Sequence, residues 1–120
     1  MSWLRVLRVV AVVHAVAVCV QPIAIGIYLN GSTTGLKIHE PVGTGLAFVA
    51  LGQLIVAIVY WRRGGRLLAP GIALLIMSLE VAQIVMGYTK QLAVHVPLGV
   101  ALIGSAVGFA AWICRRTASA

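Results

Sequence analysis

Acidic side chains are almost missing from this chain. Glu40 and Glu80 are the two among 120 residues, and only 9% of residues carry any charge. A water-soluble domain carries roughly 25% charged residues, so so few charges cannot cover a globular surface. Aromatics are sparse too, at 7%. The two cysteines, Cys19 and Cys114, fall inside apolar runs, match no zinc or thioredoxin-type spacing, and read as small core hydrophobes. What fills the chain instead is apolar, 62% of residues, with a mean hydropathy of +1.08. A single domain in a lipid bilayer follows, residues 1–120, without the polar exterior that water demands.

The net charge of +7 and isoelectric point near 10.5 come from nine basic residues whose placement excludes a nucleic-acid surface. A nucleic-acid binder gathers its basic groups on one face. Here Arg5 and Arg8 lie at the start of the first apolar run, Arg62, Arg63 and Arg66 interrupt the middle, and Arg115 and Arg116 follow the last. Lys37 and Lys90 alone occupy the other two breaks. This is a topology signal.

Four runs are long enough to cross a membrane, which takes about 20 mainly apolar residues. They extend from about Leu4 to Leu29, Pro41 to Trp61, Leu67 to Tyr88 and Val96 to Cys114. Pro41 and Pro97 are expected just inside helix starts, where a missing N–H costs little. The first run is too long to be the apolar part of a secretion signal. The expected fold is an all-α, up-down-up-down four-helix membrane bundle made of two helical hairpins. Seven arginines on one side against two lysines on the other put both termini in the cytoplasm of a plasma-membrane protein. Trp3, Trp61 and Trp112 then mark the inner interface, and Tyr28 and Tyr88 the outer one.

Polar groups inside the spans form stripes and are functional candidates by their cost. His14, Gln21 and Tyr28 recur every seven residues, Glu80, Gln83 and Gly87 share a helix face, and Gln53 lies deep in the second run. For the glutamines, hydrogen bonding between helices is the simplest role. A repeat is more specific. His39-Glu40-Pro41-Val42-Gly43 and His95-Val96-Pro97-Leu98-Gly99 both read H-x-P-[VL]-G, as expected of a duplicated hairpin.

The repeat puts His39 and His95 at one depth on diagonal helices. With neighbouring axes 8–10 Å apart, the diagonal is about 12–14 Å, a gap that suits a heme b whose iron takes one imidazole from each side. Gly26, Gly43, Gly87 and Gly99 are expected to give the macrocycle clearance. Glu80 is expected beside it, coupling a proton to the electron or bonding a propionate or quinone oxygen. Alternatives are histidines that only reach for the interface and a zinc or copper site on His39, Glu40 and His95. A second heme on His14 and Met77 is a further possibility, as is a buried His14 bonded to Gln53 or to a helix carbonyl.

This arrangement resembles one half of the heme A synthase family, whose duplicated four-helix units each hold a heme between histidines at the outer ends of helices 2 and 4. More loosely, it is similar to four-helix membrane cytochromes b. The family carries Glu-x-x-His-Arg where this chain has Leu36-Lys37-Ile38-His39-Glu40. The resemblance therefore implies heme binding and does not extend to heme hydroxylation. Two classes of function stand: a small heme protein exchanging electrons with a quinol or another membrane partner or handling heme, and a non-enzymatic subunit whose polar stripes fix packing. A proton-coupled transporter using Glu80 is a third, and assembly into a homo-oligomer is left open.

Overall fold

A computed structural model describes residues 2–117. Within them the chain forms four helices and no strand: α1 (Trp3–Leu29), α2 (Thr34–Arg62), α3 (Leu68–Tyr88) and α4 (Leu92–Cys114). They pack as an up-down-up-down bundle 53 Å long and 21 by 19 Å across. Each is long and apolar enough to cross a bilayer, whose hydrocarbon core is about 30 Å thick. The chain is a multi-pass membrane protein.

Its interior is built for that solvent. Small residues fill the middle, among them Ala11, Ala15, Ala50, Ala57, Ala69, Ala73 and Ala106, all buried. Large apolar side chains such as Val9, Val16, Ile23, Phe48, Leu75 and Val100 point outward and are more than half exposed. Lipid tails are as apolar as leucine, so nothing drives large side chains inward, and small ones let helix backbones approach. Gly35 marks the closest approach: a Cβ there would collide with the Ala24 carbonyl and the Tyr28 backbone on α1.

All three connections close in the same way. Ser32, Gly65 and Gln91 donate back to the carbonyls of Ile27, Tyr60 and Met86, five residues earlier. The residues before them, Gly31, Gly64 and Lys90, have φ of 93°, 91° and 57°. This is the Schellman closure, which needs one left-handed residue after the helix and favours glycine there.

Two helix starts differ from the expectation. α2 begins at Thr34 and α4 at Leu92, so Pro41 and Pro97 lie inside their helices. Each proline forgoes one backbone bond near a helix end, where the loss is tolerable. His39 and His95 therefore stand on formed helix, which fixes the direction of their side chains.

The first and last described residues, Ser2 and Thr117, share one end with the Arg62–Arg66 turn, the arginine end. There Arg8 donates from Nε to the Ile113 carbonyl (3.4 Å) and from Nη2 to that of Arg116. It satisfies carbonyls that the end of α4 leaves open and places a cation at the negative pole of the helix. The Arg116 guanidinium lies 4.6 Å above the Trp112 ring.

Candidate functional site

α1 and α3 oppose each other across one diagonal of the bundle, and α2 and α4 across the other. Only sequential neighbours and the α1–α4 pair bring their backbones close. Side chains span both diagonals, at two depths.

At the end opposite the arginines, His39 on α2 faces His95 on α4. Their ring centroids are 6.1 Å apart and the ring planes are inclined at 73°. In both rings Nδ1 is held by a glutamine of the preceding helix. His95 Nδ1 donates to the backbone carbonyl of Gln83 (2.9 Å), and His39 Nδ1 lies 3.4 Å from that of Gln21. His39 Nε2 has no hydrogen-bond partner among the described residues, and His95 Nε2 has one long contact, with Gln83 Nε2 at 3.4 Å.

Glycine explains how the glutamines fit. A Cβ at Gly43 would come within 3.4 Å of Gln21 Oε1, and one at Gly99 within 2.9 Å of Gln83 Nε2. Oriented to satisfy its neighbours, the Gln21 amide nitrogen lies 3.1 Å from the His39 carbonyl and 2.8 Å from His39 Nδ1, while its oxygen accepts from Gly43 N–H at 3.1 Å. Each hairpin thus repeats one device, a histidine followed four residues later by a glycine notch that admits a glutamine. Gly87 lies under the His95 ring, where a Cβ would come 2.9 Å from Cε1. Gly26 differs from the other three: nothing stands within 4 Å of where its Cβ would be.

Deeper in, three polar groups meet. His14 on α1 is 0% exposed, Gln53 on α2 1% and Glu80 on α3 3%. His14 Nδ1 is 3.1 Å from Gln53 Oε1, and His14 Nε2 is 2.7 Å from Glu80 Oε1. The expected contact with Gln53 is present. Both ring nitrogens of His14 are engaged by Gln53 and Glu80, so neither is free in this arrangement for the ligation considered with Met77. Nor does a three-ligand set on His39, Glu40 and His95 assemble: Glu40 is exposed, and no such cluster of three occurs among the described residues.

The pairing of Glu80 with His14 is the feature that sequence reasoning missed. A signal for it exists in helix arithmetic. At 1.5 Å per residue, His14 is about 17 Å along α1 from the arginine end, and Glu80 about 18 Å along α3. Equal depth on diagonal helices predicts contact.

Comparison with protein-family models, with characterised proteins and with solved structures returns no match.

Proposed function

We propose that this protein is a b-type heme protein whose iron is held between His39 and His95. The observation that carries the reading is the facing of two anchored imidazoles across the α2–α4 diagonal, 6.1 Å between centroids. Two imidazoles bound to opposite sides of one metal, with metal–nitrogen bonds of about 2 Å, have centroids roughly 6 Å apart. Metal-bound histidines characteristically direct the other ring nitrogen to a carbonyl or similar partner, which fixes the ring. The Gln83 backbone carbonyl stands in that position for His95; on the His39 side, Nδ1 lies 3.4 Å from the Gln21 carbonyl and 2.8 Å from its amide nitrogen.

Such a heme would supply one-electron chemistry. The chain's residues would orient the rings through Gln21 and Gln83, whose amides fill the notches at Gly43 and Gly99. Electron exchange with a quinol or another membrane partner, or the holding of heme for transfer, fits a site so near one membrane face. The arginine excess at the other end supports cytoplasmic termini in a plasma membrane and an outward-facing histidine site.

A second reading is favoured by one observation. The glutamine amides fill the glycine notches beside both histidines, so each histidine also serves as a packing pin between neighbouring helices. Extraction of the purified protein decides between the two. One heme b per chain is expected, and a colourless protein that takes up no added heme leaves the packing role alone.

A further inference from the structure

His14, Gln53 and Glu80 have no part in the histidine pair, and their proton count is informative. Gln53 Oε1 only accepts, so its contact with His14 requires a proton on Nδ1. The 2.7 Å contact between His14 Nε2 and Glu80 Oε1 requires a second. That proton sits either on the ring, giving an ion pair, or on the carboxyl, giving a neutral pair. Both forms have zero net charge, so the unit can rest in a membrane interior. Losing one proton leaves it negative, and gaining one leaves it positive.

No other charge faces it. On α1 the nearest charged residue is Arg8, almost two turns nearer the arginine end. α2 carries none between Glu40 and Arg62, α3 none besides Glu80, and α4 none before Arg115. The other titratable groups are Cys19 on α1 and, towards the helix ends, His39, His95, the tyrosines and Cys114.

A group serving packing alone is expected to have all its atoms paired. Here Gln53 Nε2 and Glu80 Oε2 are buried without a partner, and so is Gln83 Oε1 one turn further along the same face of α3. One donor and two acceptors are thus left for water to satisfy, and a buried water takes two to four polar partners. Gln83 in turn reaches His95, which is half-buried at the bundle end. Towards the arginine end the cluster meets Leu7, Ala11, Ala57, Ala69, Ala73 and Ile76, each no more than 1% exposed.

We propose that His14, Glu80 and Gln53 form a proton-binding site in the membrane interior that opens to one face only, through Gln83 at the histidine end. A proton arrives by way of water at Gln83, is taken up by the Glu80–His14 unit, and leaves by the same route. The apolar plug blocks transfer across the membrane.

The test uses the full chain in lipid bilayers with nitrogen-labelled histidine, read by NMR. The three histidines give few signals, and those lost in His14→Gln belong to His14. In the parent protein, the His14 N–H signals should disappear within minutes of transfer to heavy water. Gln83→Leu and Gln83→Met should each keep them but slow their loss by about tenfold or more, as removal of a hydrogen-bonding bridge implies. Two variants guard against misfolding in one, and an unchanged His14 shift shows that the cluster is intact. His14 N–H signals that persist for days in the parent would mark a sealed packing knot. Equal rates in the parent and both Gln83 variants would remove the Gln83 route. The readout does not depend on what His39 and His95 hold, so this proposal and the heme proposal fail separately.

Discussion

The planes of His39 and His95 are inclined at 73° across the α2–α4 diagonal. The inclination arises because each ring is fixed by its own hairpin, through Gln21 in one and Gln83 in the other. Imidazole planes near perpendicular on a ferric iron give a strongly anisotropic low-spin paramagnetic resonance signal, whereas parallel planes give a rhombic one. The oxidised protein should show the anisotropic form. A rhombic spectrum would mean that the rings turn on binding and that the glutamine anchors do not hold.

The glycines separate by contact. Gly87→Ala places a methyl group 2.9 Å from the His95 ring, an overpacking that costs about 1–3 kcal/mol if the ring stays. It should weaken heme retention or produce high-spin iron. Gly26→Ala meets nothing within 4 Å and should leave the spectrum unchanged. Equal behaviour of the two variants would contradict the placement of the site beside Gly87.

Backbone geometry gives two stability changes of opposite sign. Lys90 adopts a left-handed conformation at a position where Gly31 and Gly64 serve elsewhere, so Lys90→Gly should stabilise the protein by about 1 kcal/mol. Gly35→Ala forces a Cβ onto the α1 backbone and should destabilise it by about 2–3 kcal/mol. Unfolding titrations in detergent micelles measure both.

Much of this bundle is legible in the sequence because membrane solvation leaves few choices. Apolar runs must be helices, and the arginines mark their ends. The prolines misled at Pro41 and Pro97, since a helix near its end tolerates a missing donor and the first turns extend past them. The H-x-P-[VL]-G repeat made the meeting of His39 and His95 readable. Glu80 was harder. Its partner His14 lies 66 residues away, on a helix whose backbone does not approach α3. Only depth counting along both helices joins them.

The orientation proposed from the arginine asymmetry is open to labelling. In a Cys19→Ala, Cys114→Ala background, single cysteines at Ser32 and Lys90 should react with an impermeant reagent from outside the cell. One at Gly65 should react only after permeabilisation. Labelling of the Gly65 site from outside would invert the protein and place the histidine pair at the cytoplasmic face.

The central claim is that His39 and His95 together hold one heme iron. Absorption spectra of the purified protein, oxidised and then dithionite-reduced, test it most directly when recorded beside His39→Ala and His95→Ala. The parent should show sharp low-spin b-type bands on reduction, and each variant should lose them or turn high-spin. Low-spin bands that survive unchanged in both variants, or a parent protein with no bands after heme is added, would contradict it.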